Sequence, residues 1–197
     1  MPLKDLRRNW FSIDYTERLY AEYLELDSNQ NGMLTLSELA RYRGGGLTPE
    51  FATRIFQECL TYRNQETGQS EIDYKSYLDF VLANTYTGTP EAIGYFFRLL
   101  DLEAAKRLSS FEICYFFRAV IRKCHEMGEE PNCTVADVQD EIFDMVKPRN
   151  PLFITLSDLL DCKVGDTIIG MLTDVNAFFA YDRREMLMDP ENEEQEI

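Results

Sequence analysis

Asp27, Asn29, Asn31, Gly32 and Glu38 fall at positions 1, 3, 5, 6 and 12 of one twelve-residue stretch. That spacing satisfies D-x-[DN]-x-[DN]-G-x5-E at every defined position. The chemistry it offers is ligation of a hard divalent cation, Ca²⁺, which takes about six to eight oxygens at roughly 2.3–2.6 Å. Asp27 supplies a carboxylate oxygen, Asn29 and Asn31 supply amide carbonyl oxygens, and Met33 contributes its backbone carbonyl. Thr35, at position 9, acts through a water, and Glu38 can bind with both carboxylate oxygens. Gly32 permits the left-handed backbone that turns the chain around the ion. Asp27 and Glu38 alone carry formal charge in this set, so the expected affinity is weak, about 10⁻⁶–10⁻⁴ M.

Such a loop works only if helices hold both of its ends. Upstream, Leu19, Tyr23 and Leu26 recur at i, i+4 and i+7, one face of a helix. Downstream, a helix begins near Leu36 and ends at Gly44-Gly45-Gly46. This is an EF-hand helix–loop–helix unit, and the chain repeats it. Leu34, Leu39 and Tyr42 stand at positions 8, 13 and 16 of the first unit; counted from Asp101, Leu108, Ile113 and Phe116 stand at the same positions of another. Fainter copies centre on Ile72, followed by Tyr77 and Phe80, and on Ile154, followed by Leu159 and Cys162. Position-8 residues of paired hands form a short β ladder, so Leu34 is expected opposite Ile72 and Leu108 opposite Ile154.

The expected fold class is therefore all-α, with EF-hand helix–loop–helix pairs, most hands degenerate, and short β ladders between paired loops. Residues 1–86 would form the N-terminal pair with the intact loop, 87–187 a degenerate C-terminal pair, and 188–197 an acidic disordered tail. Thr48-Pro49-Glu50 reads as a helix start, Thr48 being the cap, and Thr87-Gly88-Thr89-Pro90-Glu91 as the boundary between the pairs. Residues 64–70 and 129–132 read as polar loops.

The other loops lack the ligand set. Asp101, Glu103, Ser109 and Glu112 could serve, but Ala105 offers no oxygen at position 5 and Lys106 replaces the turn glycine. Around Ile72 the positions hold Gln65, Thr67, Gln69 and Ser76, none charged; around Ile154 they hold Lys147, Arg149, Pro151 and Asp158, which should repel a cation. These hands are expected to be structural partners of the first.

A net charge of −15 argues against a nucleic-acid partner, which needs clustered Lys and Arg. No apolar run approaches the about 20 residues that span a bilayer, and the start shows no signal peptide. The cysteines at 59, 114, 124, 133 and 162 are odd in number and irregular in spacing, so neither a disulfide framework nor a zinc site is indicated. Cys59, Cys114 and Cys162 read as small core residues, and a reducing compartment is expected. The lone His125 reads as a surface residue at a helix end. No P-loop, GxSxG or zinc pair points to catalysis, and the aromatic runs at 115–117 and 178–181 read as packing.

The flanking text is more specific than the loop. Residues 5–11 (Asp-Leu-Arg-Arg-Asn-Trp-Phe), 56–62 (Phe-Gln-Glu-Cys-Leu-Thr-Tyr) and 72–83 (Ile-Asp-Tyr-Lys-Ser-Tyr-Leu-Asp-Phe-Val-Leu-Ala) carry a resemblance, as do 115–119, 140–148, 174–176 and 178–185. Up to about residue 187 the chain resembles the B″ family of protein phosphatase 2A regulatory subunits, most of all its gamma-type branch, which includes the plant TONNEAU2/FASS proteins. The resemblance implies no catalysis. It implies an adaptor that binds the phosphatase scaffold and catalytic subunits and directs them to protein substrates. It also implies a cytoplasmic location, associated with the cytoskeleton or centrosome, with nuclear partners in animals. Ca²⁺ ligation carries over onto Asp27, Asn29, Asn31, Met33, Thr35 and Glu38 only. Members of the B″ family have a long part before this region, so the chain is expected to be a piece of such a protein. The alternative reading is a free-standing Ca²⁺ sensor or buffer for amphipathic target helices, which predicts a second functional loop.

Overall fold

A computed structural model describes residues 13–188. The stretch at 5–11 and the tail after Met188 lie outside these residues. The chain runs α1 (Ile13–Leu26), β1 (Leu34–Thr35), α2 (Leu36–Leu39), a 3₁₀ turn (Tyr42–Gly44), α3 (Pro49–Glu58), β2 (Thr61–Arg63), β3 (Ser70–Ile72) and α4 (Tyr74–Thr85). It continues through α5 (Pro90–Leu100), β4 (Leu108–Ser109), α6 (Ser110–Glu126), α7 (Val135–Val146), β5 (Phe153–Ile154), α8 (Leu156–Asp161), α9 (Gly165–Thr173) and α10 (Val175–Met188).

Both ladders form in the expected register, antiparallel, with Leu34 opposite Ile72 and Leu108 opposite Ile154. All four of these residues are buried. The reason is shared by the hands: each loop must hide one apolar side chain between its helices, and the strands bring two such residues face to face. Thr48 and Thr89 cap α3 and α5, accepting from the backbone N–H of Phe51 and Ala92, with proline next in each helix.

The helical faces read from the sequence point inward. Leu19, Tyr23, Ile93, Phe96, Leu100, Ile113, Phe116, Phe117, Ile142 and Phe178 are buried in one cluster that takes in both halves of the chain. At about 1.5–3 kcal/mol for each fully buried large apolar side chain, this core gives the hands a frame that needs no metal. Tyr23, Tyr77, Tyr42 and Phe80 pack edge-on or tilted in sequence, with ring centroids 5.1–6.3 Å apart.

Three local expectations are corrected. The helix after the first loop stops at Leu39, and the chain reaches Gly45 through the 3₁₀ turn, where Arg43 is left-handed (φ 46°). The second hand has no EF-type loop: β2 and β3 form a hairpin, with Thr61 opposite Ile72, and the sheet is three-stranded in the order β1-β3-β2. Cys59, Cys114 and Cys162 are half-buried, Cys59 and Cys162 packed against the core, while Cys124 is fully buried. The cysteines are free. His125 is exposed in the last turn of α6, as expected.

Two seams join the halves. The Arg54 guanidinium on α3 donates to the carbonyls of Leu99 (3.0 Å) and Asp101 (3.3 Å), capping the C-terminal end of α5 with positive charge. Residues 46–48 also lie against the start of α10. Thr48 N–H donates to the Thr173 carbonyl (3.1 Å), Val175 N–H donates to the Gly46 carbonyl (2.9 Å), and Leu47 bridges Asp174. Among the described residues no helix is long and apolar enough to cross a membrane.

Candidate metal centre

The loop between α1 and α2 is a chain of turns in which each polar side chain accepts an N–H from further along. Asp27 Oδ1 accepts from Asn31 N (3.2 Å) and Oδ2 from Gly32 N (2.8 Å). Asn29 Oδ1 accepts from Asn31 N (3.0 Å), and Asn31 Oδ1 from Met33 N (2.8 Å). These contacts curl the oxygens of positions 1, 3 and 5 to the inner side of the loop. Gln30 and Gly32 take left-handed φ of 57° and 79° to close the curve, and Gly32 bears it without Cβ strain. The Tyr23 hydroxyl, buried under the loop, donates to the Gly32 carbonyl at 2.7 Å. Burial first, then the charge of Asp27, pushes this phenol well above its usual range, so it remains a donor.

Thr35 and Glu38 have a double role. Thr35 is the N-cap of α2 and Glu38 its third residue, so positions 9 and 12 of the hand are also a capping box. Glu38 Oε2 accepts from Thr35 N (2.9 Å) and Thr35 Oγ1 (2.8 Å), and Oε1 accepts from Ser28 N (2.9 Å). Burial alone would push the Glu38 carboxyl up. The donors from Thr35, Ser28 and Asn29 outweigh it and hold the group below the usual carboxylate range. The carboxylate is thus held ionised, reaching from the exit helix back to the loop entry, with 7 % of the residue exposed. Arg41 closes the outside, donating to the Leu26 carbonyl and to Ser28 Oγ.

All six residues named from the sequence therefore lie on one short loop, and the donors are all oxygen, which fits a hard cation and not a soft one. Their charge is low. Among the described residues no group of three or more His, Cys, Asp or Glu side chains is gathered for a metal, so Asp27 and Glu38 are supplemented by amide, carbonyl and hydroxyl oxygens.

Sequence reasoning missed Glu71. It lies on β3 directly opposite Thr35 and is 4 % exposed. Its Oε1 accepts from Asn31 Nδ2 (3.0 Å) and from Asn64 Nδ2 (2.9 Å). The signal was available: the pairing of Leu34 with Ile72 puts the residue before Ile72 beside the loop.

The other loops differ in kind. The loop at Asp101 keeps the backbone of the first. Asp101 Oδ1 accepts from Ala105 N (3.0 Å) and Oδ2 from Lys106 N (2.7 Å). Ala104 and Lys106 adopt left-handed φ of 52° and 56°, at the positions of Gln30 and Gly32. Ser109 and Glu112 repeat the capping box. What is missing is an oxygen at Ala105. In the last hand the positive charge lies across the outside of the loop: Arg149, largely exposed, pairs with Asp158 at 3.4 Å, and with Asp161 at 2.6 Å. Asp158, at position 12, is 5 % exposed and is boxed with Thr155. This hand carries its own cation as a side chain.

The chain resembles known proteins along nearly its whole length. It is 47 % identical over 185 residues, 94 % of the chain, to the gamma-type B″ regulatory subunit of serine/threonine-protein phosphatase 2A from Xenopus tropicalis. Identity to the human protein of the same description is 46 %, again over 94 % of the chain. It is 45 % over 91 % of the chain to TON2 of Arabidopsis thaliana, described as a probable B″ regulatory subunit of the same phosphatase. Along nearly its whole length the chain is thus similar to B″ subunits, as the resemblance implied, and these relatives are named as regulatory subunits, not catalytic ones. The chain spans 40 % of the Xenopus relative's length. A solved PP2A PR70 holoenzyme, described as diCa, shares the fold with a TM-score of 0.76 at 24 % identity, over 88 % of this chain and 62 % of that one. No family model matches.

Proposed function

We propose that this chain, a homologue of gamma-type B″ phosphatase 2A subunits over 94 % of its length, is the calcium-binding EF-hand core of such a regulatory protein. It would bind the phosphatase scaffold and catalytic subunits and present protein substrates to them. Sites at the cytoskeleton and centrosome, in the cytoplasm and in the nucleus, are part of the same proposal. The observation that carries the reading is the extent of the likeness, which covers both halves of the chain and not the loop alone.

Within it, Asp27, Asn29, Asn31, the Met33 carbonyl, Thr35 and Glu38 hold one Ca²⁺, whose bound charge draws the entry and exit of the loop together. Glu38 is the coupling residue, since it sits on α2 while its carboxylate reaches Ser28. A shift of α2 passes through the 3₁₀ turn to Gly46–Thr48, and so to the α10 seam. Calcium would thereby set the shape of the surface offered to the scaffold. The test is whether the chain captures the purified phosphatase scaffold, in calcium and in EGTA. Binding that strengthens in calcium, and loses that gain in Glu38→Gln, supports the reading. Capture that calcium leaves unchanged removes the switch and leaves a static adaptor, and absence of capture in either buffer removes the scaffold as partner of this region.

A further inference from the structure

We propose that Glu71, supplied by the neighbouring hand, is a positioning residue and a third negative charge for the cation site of the first loop. This inference rests on the reading of that loop as a Ca²⁺ site. Asn31 can present its oxygen to the loop interior only if its amide is held one way round. Nδ2 donates to Glu71 Oε1 at 3.0 Å while Oδ1 accepts from Met33 N–H at 2.8 Å. Turned over, the amide would set an N–H against the Met33 N–H and its oxygen against the Glu71 carboxylate, both repulsive. Asn64 Nδ2, at 2.9 Å, fixes Glu71 in turn. The hairpin of the second hand, which has no ligand loop of its own, therefore reaches the first loop through Asn64, Glu71 and Asn31.

The charge balance points the same way. Glu71 is 4 % exposed and its side-chain donors, Asn31 and Asn64, are neutral amides. Among the described residues no Lys or Arg forms an ion pair with it. A buried carboxylate without a cation is costly, and a divalent ion in the adjoining loop would offset that cost. The low charge of the loop, from Asp27 and Glu38 alone, is raised by a carboxylate that no count along the motif includes.

The experiment is calcium titration by calorimetry of the whole chain and of Glu71→Gln, Glu71→Ala and Asn31→Ser, with the melting temperature of each measured in EGTA. Groups that orient a ligand typically change metal affinity by about 10–100-fold. Glu71→Gln, which keeps the shape and removes the charge, is expected to weaken binding about tenfold, and Glu71→Ala more, with the EGTA melting temperature of Glu71→Gln no lower than the parent's, since the uncompensated charge is gone. In the Asn31→Ser background, which has no amide to orient, the Glu71→Ala effect should shrink by at least about threefold. If Glu71→Gln and Glu71→Ala both bind within about twofold of the parent, the proposal is wrong. Full additivity with Asn31→Ser rejects the positioning role. A parent chain that takes up no Ca²⁺ instead refutes the loop reading, and this inference with it.

Discussion

Gly46 is where the first hand touches the start of α10, and replacing it with alanine tests that seam. A Cβ at this position would run into the Asn176 side-chain amide, which can turn away, and would lie 2.7 and 2.8 Å from the two carboxylate oxygens of Asp174, too close for a carbon–oxygen contact. Asp174 cannot simply swing aside, because its Oδ1 accepts from Asn176 N (2.7 Å) and Ala177 N (3.1 Å), the first free N–H groups of α10. Relief therefore costs either the cap, about 1 kcal/mol, or displacement of the 46–48 segment, about 1–3 kcal/mol for overpacking. Gly46→Ala should therefore destabilise by about 1–3 kcal/mol. At about 2–4 °C per kcal/mol for a chain of this size, the melting temperature should fall by about 2–12 °C. Circular dichroism of thermal unfolding reads this directly. Gly94→Ala is the control. Gly94 lies inside α5 with open space where the Cβ would go, so that change should stabilise by about 0.5–1 kcal/mol. Adding Asp174→Ser to Gly46→Ala should recover part of the loss, since serine still caps but presents one oxygen. A drop of less than about 2 °C for Gly46→Ala, or no difference between the two glycines, would refute the reasoning.

Glu38→Gln removes one of the two carboxylates of the proposed Ca²⁺ loop and should weaken Ca²⁺ binding by about 100-fold or more in calorimetry, whereas retained affinity would move the site elsewhere. Ala105→Asp with Lys106→Gly supplies the missing oxygen and turn glycine to a backbone that already has the right curl; calorimetric stoichiometry should rise by one Ca²⁺, and an unchanged stoichiometry would show that the curl is not sufficient. Asp73 caps α4, and Asp158 closes the capping box that Thr155 opens at the start of α8. Burial raises each carboxyl, but hydrogen bonds from Ser76 and Tyr62, and from Thr155 and Arg149, bring each below the ordinary aspartate value of 3.8. Their stabilisation is thus fully present above about pH 4 and is lost as pH falls through the folded values. Melting temperature should be flat from about pH 7 to 5 and decline below about 4, and Asp158→Asn should flatten the acid limb; an equal slope in that variant would refute the assignment.

Self-similarity along the chain locates the hands because position 8 must be apolar in every copy, whether or not metal is bound. Leu34, Ile72, Leu108 and Ile154 can therefore be paired from the sequence alone. Thr48-Pro49 and Thr89-Pro90 are legible for a local reason, the fixed φ of proline and the oxygen of the cap. The β2–β3 hairpin is not. Thr61–Arg63 is too short to show alternation, and the EF template imposes a loop where the backbone pairs instead. The break after Leu39 is invisible in the pattern because Tyr42 keeps its buried position through the 3₁₀ turn. Glu71 escapes a motif count because it belongs to one hand by sequence and serves another by contact. Arg149 reads as a repelling charge along the chain, whereas in the fold it is paired with the buried Asp158 and the exposed Asp161 of its own hand.

That arginine has a consequence for how the molecule responds to its surroundings. A guanidinium stays protonated at every physiological pH and is tethered by its own backbone, so its concentration beside Asp158 never fluctuates. The last hand consequently keeps a positive charge beside Asp158 whether or not a free cation is present. Under the proposed switch, a rearrangement begun at Glu38 would work against a far hand whose own charge balance does not depend on a free ion.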